Sequence, residues 1–377
     1  MVAMSRRVFA LSACGIAGTA SFVSGCSSFG MSDEYEALAS QIRQPVALPI
    51  KLPVTPLEFE GNAPTSELVR YATLAPSSHN TQCWKFSATE TSITLLPDLA
   101  RRCPAVDPDD HHLFVSLGCA TENLVQAALA HGLHADVVFD DIRENIRVEL
   151  RPTAPRSSAL FHAIPLRQVT RGDYDGAAVS AAELDVLQRV GSGPQVRLVL
   201  LTGRPALEHV LGQIIGANSR QMADAGFVAE LKTWVRFNAS DAVLTRDGLF
   251  SPTSGNPAIP GWLGRLAFGM LFTPVSENDK IARQIRSSAG IAVFVGLSAD
   301  KAHWVEVGRC YERFALQATA LGIRNAHLNQ PVEVPSSRSS LARALGLDGY
   351  RPDLVVRFGR GPTMPFSLRR PVSAVMV

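Results

Sequence analysis

The chain has 377 residues, 46% of them hydrophobic and 19% charged, the composition of a globular protein with a full core, large enough for two domains or one intertwined unit. Thirty-six basic residues against 34 acidic ones leave a formal net charge of +2, which gives no electrostatic basis for nucleic acid as a partner. Six cysteines without a Cys-x-x-Cys pair do not make a structural zinc framework, and a disulfide among Cys83, Cys103, Cys119 and Cys310 stays open.

Residues 1–26 read as an address. Arg6 and Arg7 followed by Phe9 resemble a twin-arginine export signal. The apolar run behind them is about 16 residues, short of the roughly 20 that span a bilayer, and its small residues suit a signal core. Val23-Ser24-Gly25-Cys26 resembles a lipobox in which Cys26 is lipidated. The expectation is an exported, periplasmic or cell-envelope protein that meets the export machinery and is held to a membrane through lipid alone. Residues 27–60 read as a tether, with a short helix over Asp33 to Ile42 and then Pro45, Pro49, Pro53 and Pro56.

An internal repeat organises the remainder. Val115 and Val305, Gly118 and Gly308, Glu122 and Glu312, and Gly132 and Gly322 are each 190 residues apart without a gap. Both stretches predict a helix that starts at a glycine, presents small residues on one face, and stops at a glycine C-cap. Ser66-Glu67-Leu68 and Ala182-Glu183-Leu184 open a second pair of helices 116 residues apart. The change of offset places an insertion at about 205–290 in the second half. The halves are therefore 61–160 and 161–377. The insertion predicts helices over Ala206 to Met222 and Ala229 to Phe237, and its loop from Phe250 to Gly261 is expected to act as a lid. Short strands are predicted at Trp84 to Phe86, Ser92 to Leu95, Val196 to Leu201, Ile291 to Gly296 and Leu354 to Phe358. The class is α+β, with helices packed on mixed sheets.

Three clusters carry binding chemistry. Pro76-Ser77-Ser78-His79-Asn80-Thr81-Gln82-Cys83-Trp84 offers hydroxyls and amides to a heteroaromatic edge, and serves equally well as a polar capping loop. Arg167-Gln168-Val169-Thr170-Arg171 can make bidentate phosphate contacts or stand as a solvated pair. Arg357-Phe358-Gly359-Arg360 and Leu368-Arg369-Arg370-Pro371 add arginines in the tail. Asp107, Asp109, Asp110, His111 and His112 read as a polar turn before a helix, so no metal is assigned.

Together these clusters resemble the FMN-dependent nitroreductase family, whose members share an Arg-rich motif, a Pro-Ser-x-x-Asn-x-Gln-Pro-Trp loop, a Gly/Ala-rich helix and a basic tail. Pro76, Ser77, Asn80, Gln82 and Trp84 match the loop, and Cys83 stands where proline is usual. The tandem halves, Val106-Asp107-Pro108-Asp109 and Leu328-Asn329-Gln330-Pro331 resemble the Acg-like branch of fused pseudo-dimers. The resemblance implies a nitroreductase-like fold of two intertwined tandem halves and a single FMN. Arg167, Gln168 and Arg171 would hold ribityl and phosphate, and Arg369 and Arg370 would complete the phosphate cage. Ser77, Ser78 and Asn80 would line the ring, with Asn329 and Gln330 near its N5 edge. It implies an oxidoreductase taking electrons from a small-molecule donor to a nitro compound, quinone or similar acceptor. Its rivals are a non-catalytic protein that sequesters FMN beneath the insertion and a lipoprotein scaffold without flavin.

Overall fold

Two rounds of the same element order make up most of the chain. The computed structural model describes residues 32–44 and 63–377; Arg6, Arg7 and Cys26 lie outside the described residues. Helix α1 (Asp33–Gln41) is capped by Ser32, whose hydroxyl accepts the Tyr35 N–H. The first round runs α2 (Ala63–Thr73), β1 (Trp84–Ala88), β2 (Ser92–Pro97), α3 (His111–Ala130), β3 (Leu133–Asp140) and β4 (Asn145–Pro152). After α4 (Ala159–Ala163), the second round opens with α5 (Ala181–Val190) and β5 (Val196–Leu201). The insertion follows as α6 (Arg204–Met222), α7 (Ala225–Trp234), β6 (Val235–Arg236), α8 (Ala239–Thr245), β7 (Leu249–Phe250), α9 (Gly261–Leu271) and α10 (Pro274–Arg286). The round resumes with β8 (Gly290–Gly296), α11 (Lys301–Ala320) and β9 (Arg324–His327). It closes through α12 (Gln330–Glu333) and α13 (Pro335–Ala344) into β10 (Pro352–Gly359).

Each round folds its four strands in the order first, second, fourth, third: β1-β2-β4-β3 and β5-β8-β10-β9. All six strand pairs within these two sheets are antiparallel. Parallel pairing occurs in the insertion, between β6 and β7, and as bridges at the edges of the four-stranded sheets, Phe86 with Met376 and Val169 with Asn325. The first of these bridges intertwines the halves. Phe86 N–H donates to the Val375 carbonyl at 2.8 Å and Val377 N–H donates to that of Phe86 at 2.9 Å, so the second round's tail extends the first round's sheet.

The two repeat helices cross at their shared glycine. A Cβ on Gly118 would lie 2.0 Å from the Val305 carbonyl oxygen, and one on Gly308 would lie 2.0 Å from that of Val115. The helices thus begin seven residues before the glycines and do not start at them. A mid-helix glycine costs about 1 kcal/mol in propensity but lets the two backbones touch. The expected stops hold: Gly132 and Gly322 follow the helices with φ of 77° and 70°, the left-handed turn that ends a helix. Helix α3 is long and apolar enough to cross a membrane, but it is the buried core helix. The β3–β4 hairpin was not predicted, because only half of its residues face the core. Cys83, Cys103, Cys119 and Cys310 are free and buried.

Candidate functional site

The site is built where the first round's loop, the segment before α5 and the tail converge. A cavity of about 260 Å³ is lined from α3 by His112, Val115, Ser116 and Cys119. A smaller one of about 40 Å³ is lined by Arg43, Arg167, Arg171 and Arg369. Pro76, Ser77, Val169, Arg171 and Leu249 line both, so the two share a wall.

The loop between α2 and β1 is held in an unfavourable backbone. His79, Asn80 and Gln82 have φ of 47°, 54° and 53°, a region that costs a residue bearing a Cβ on the order of 1–3 kcal/mol. The surroundings impose it. Asn80 Nδ2 donates to the carbonyls of Gly248 (3.0 Å) and Leu368 (3.3 Å), and its Oδ1 accepts from Arg369 (2.9 Å). Gln82 donates to the Arg246 carbonyl (2.9 Å) and accepts the Arg370 N–H (2.7 Å), while Ser77 Oγ accepts the Gln82 N–H (2.9 Å). Insertion, tail and loop are locked together at this point.

The four arginines are unequal. Arg167 Nε lies 3.0 Å from Glu312 and its Nη2 donates to the Leu74 carbonyl at 2.7 Å, while Nη1 is buried without a partner. Burial pushes Glu312 up to about 7 against the opposing charge of Arg167. The Arg171 guanidinium makes no hydrogen bond or ion pair among the described residues, although its backbone carbonyl accepts from Gln284 Nε2, and burial lowers its pKa. Arg43 donates to the Ala39 and Ser367 carbonyls, and burial brings it down to about 9. Arg369 donates to the carbonyls of Thr73, Leu74, Ala75 and Leu368 and to Asn80, at 2.7–3.1 Å. It therefore fastens the tail onto the C-terminus of α2, where its charge also meets the helix dipole. Glu312 is the one carboxylate among the described residues that pairs with any of these four guanidiniums. The small cavity is thus strongly cationic and suited to an anion.

Of the residues predicted from sequence, Arg167, Arg171, Ser77, Ser78, Asn329 and Gln330 reach the cavities with polar groups still able to bind. Gln330 Oε1 is buried without a partner, and Asn329 uses only its Oδ1, which accepts the Val355 N–H at 3.0 Å. Asn80, Gln168 and Arg369 line the small cavity, but their polar groups are engaged by the protein itself. Gln168, for example, pairs both ways with the Met364 backbone at 2.8 and 2.7 Å. Arg370 is not brought to the site. Its guanidinium faces the Ala374 carbonyl (2.6 Å) and Asp98 (3.9 Å), because the tail alternates direction at successive residues.

Several lining residues were not anticipated. Arg43 was set aside with the tether, yet α1 packs beneath the tail through Tyr35, whose hydroxyl donates to the Phe366 carbonyl at 2.8 Å. The insertion does reach the wider cavity, through Asn218, Gln221, Phe227, Leu231 and Phe272. The loop from Phe250 to Gly261 does not line it, and Phe250 is buried 4.5 Å from the Tyr35 ring. His79 and His327 also line the wider cavity, pushed down by burial and the charge of Arg171 to about 4 and about 3.

No protein-family model matches the chain. It is 27% identical over 340 residues to "Putative NAD(P)H nitroreductase Rv3131" of Mycobacterium tuberculosis strain ATCC 25618 / H37Rv, covering 85% of this chain and 94% of that protein. It is 22% identical over 318 residues to the acg protein of the same strain, which carries the same family name, covering 81% and 93%. Among solved structures, the FMN-dependent nitroreductase NfnB of Mycobacterium smegmatis in complex with NADPH is 12% identical, with a TM-score of 0.36 over 58% of this chain and 91% of that one. Over 81–85% of its length the chain is similar to these two M. tuberculosis proteins.

Proposed function

We propose that the chain is an FMN-binding oxidoreductase of nitroreductase type, passing electrons from a reduced nicotinamide or other donor to a nitro compound, quinone or similar acceptor. One observation carries this reading: a cavity lined by four arginines, of which Arg167 alone pairs with a carboxylate among the described residues, adjoins a wider cavity with a mixed polar and apolar lining. Together the two reach the low end of the range of about 300–1,000 Å³ typical of small-molecule sites. Arg167 and Arg171 would hold the phosphate by charge-assisted hydrogen bonds. Arg43 and Arg369 would contribute charge, since their donors are engaged. Ser77, Ser78, Asn329 and Gln330 are placed to orient the ring. Bound flavin supplies the hydride and electron chemistry.

A second reading has its own observation. The insertion contributes α6 and α7 to the wall of the wider cavity, which suits a protein that sequesters FMN and keeps nicotinamide out. The purified protein is expected to be yellow and to release FMN on denaturation. Steady oxidation of NADH or NADPH with a quinone or nitroaromatic supports the enzyme. Tightly held FMN with no turnover supports sequestration, and protein that takes up no FMN defeats both.

The N-terminal reading joins this proposal: export through the twin-arginine route and lipid at Cys26. Arg6→Lys with Arg7→Lys is expected to trap precursor in the cytoplasm, and Cys26→Ala to abolish membrane retention. Normal export of the double lysine variant would refute the twin-arginine assignment.

A further inference from the structure

A second set of side chains stands unexplained at the start of α3. The chain turns back before this helix, with Asp110 at φ 58°. Asp107 then accepts the N–H groups of His112 and Leu113, both at 3.0 Å, through its two oxygens. His111 and His112 open the helix at 0% and 5% exposure. The donor atoms of Asp107, His111 and His112 lie within 4.8 Å of one another.

Buried imidazoles ordinarily bond through at least one nitrogen. Here neither nitrogen of either ring has a hydrogen-bonding partner. Asp353 Oδ1 comes within 3.1 Å of His111 Nε2, and Asp107 Oδ1 within 3.8 Å of His112 Nδ1, without hydrogen-bond geometry. The neighbouring arginines pair with other carboxylates. Arg338 and Arg351 pair with Asp109 at 3.3 and 2.8 Å, and Arg102 pairs with Asp110 at 2.9 Å. That leaves Asp107 and Asp353 without a basic side chain other than these two histidines within ion-pairing distance among the described residues.

We propose that Asp107, His111 and His112 bind a divalent transition ion of the zinc class, with Asp353 orienting His111. Two imidazoles and a carboxylate are the ligand set of a three-ligand zinc site that keeps a fourth position for water or another ligand, and a carboxylate behind a ligating histidine is its usual support. Ligands around one tetrahedral ion at about 2.0–2.1 Å stand roughly 3.3 Å apart, so the set must contract by side-chain rotation as the ion enters. His112 also lines the wider cavity, so the ion would sit in its wall.

The full chain, stripped with chelator, is to be titrated with Co²⁺ as a visible probe and then with Zn²⁺ in competition. Expected is one equivalent of Co²⁺ with tetrahedral d–d absorption, displaced by Zn²⁺. X-ray absorption of the zinc-loaded protein is expected to show imidazole scattering and no sulfur. Asp107→Asn and His111→Gln should each weaken binding at least ten-fold, the low end of about 10–100-fold for loss of even an outer partner. If those variants fail to fold, X-ray absorption on the parent decides. A folded parent that takes up no Co²⁺, or unchanged affinity in His111→Gln, overturns the site. So does sulfur scattering, which would move the ion to Cys103 beside His79, 3.6 Å away.

Discussion

Helices α3 and α11 occupy the same place in the two rounds, yet only α3 opens onto the wider cavity through its small side chains. At the positions where α3 offers Ser116 and Cys119 to that cavity, α11 carries, 190 residues later, Glu306 and Arg309. These two long side chains pair at 2.9 Å. The shared glutamates diverge in the same way. Glu312 meets Arg167, which comes from the segment before α5, at 3.0 Å. Glu122 meets Arg309 and Arg313 of α11 at 3.3 and 3.0 Å. A duplicated scaffold therefore keeps space on one side of its pseudo-twofold and fills the other with an ion-pair network. Along these two helices, the difference between lining and filler is two residues on one face.

The strongest way to break this comparison is to copy the filler. Ser116→Glu with Cys119→Arg places the α11 pair on α3 and is expected to reduce FMN bound per chain from one to near zero, read by titration of the apoprotein. The reverse pair, Glu306→Ser with Arg309→Cys, should not create a second site, because the loop at Gly191-Ser192-Gly193-Pro194 brings no counterpart of Ser77 and Ser78. Saturation at two FMN per chain, in the parent or in this variant, would show that the halves are functionally alike.

The next test concerns what the halves share. Gly118→Ala and Gly308→Ala each place a methyl 2.0 Å from a backbone carbonyl of the opposite helix, which no side-chain rotation relieves. Overpacking of this kind costs about 1–3 kcal/mol, occasionally more, and the upper end is expected for both. Urea unfolding should give equal losses within error. A clear inequality would mean that the crossing is not symmetric in energy although it is so in geometry.

A smaller effect sharpens the roles of the arginines. Arg167→Ala and Arg171→Ala are expected to weaken FMN more than riboflavin. A charge-assisted hydrogen bond is worth roughly 1.5–3 kcal/mol, or about ten-fold or more in affinity. Equal losses for both ligands would remove these residues from the phosphate.

Much of this could be read from the sequence, for identifiable reasons. The repeat was visible because Gly118 and Gly308 are required by the same close approach, and a glycine so constrained leaves its mark at a fixed offset. The Ser77–Gln82 loop and Arg167 to Arg171 stood out as dense polar clusters. What escaped was direction. Arg369 and Arg370 look alike in sequence, but one side chain points into α2's carbonyls and the other toward Asp98. Asn80 and Gln82 look like ligand-binding amides, yet they hold the strained loop in place. His111 and His112 looked like a polar turn, since nothing local shows that the turn is buried under Trp304, 5.1 Å from His111. The antiparallel hairpin of β3 and β4 was hidden because charged residues such as Asp136, Arg147 and Glu149 occupy its solvent face.

The smallest expected effect is on pH dependence, and it also separates the halves. His327 lies on β9, and the residue 190 positions earlier, on the matching strand β3, is Val137. Burial and Arg171 push His327 down to about 3 and His79 to about 4, from 6.5 in a free side chain. Below pH 6.5 the unfolded chain takes up protons at these sites that the folded chain refuses. Their contribution to stability is therefore complete above that pH and is lost as pH falls toward 4. Glu312 and Glu333 act in the opposite sense. Burial raises both from 4.5 to about 7, so the fold keeps protons that the unfolded chain releases, and stability declines as pH rises through that interval. The two trends offset one another in the parent between about pH 4.5 and 6.5. His327→Gln removes one histidine from the balance, so the midpoint of unfolding should rise at pH 5 relative to pH 7 more than in the parent. Glu333→Gln should do the reverse. Proton NMR of His327 in the apoprotein supplies the direct reading: a resonance titrating near 6.5 would show that Arg171 and the surrounding protein do not press on this ring, and would dissolve the electrostatic contrast between the halves.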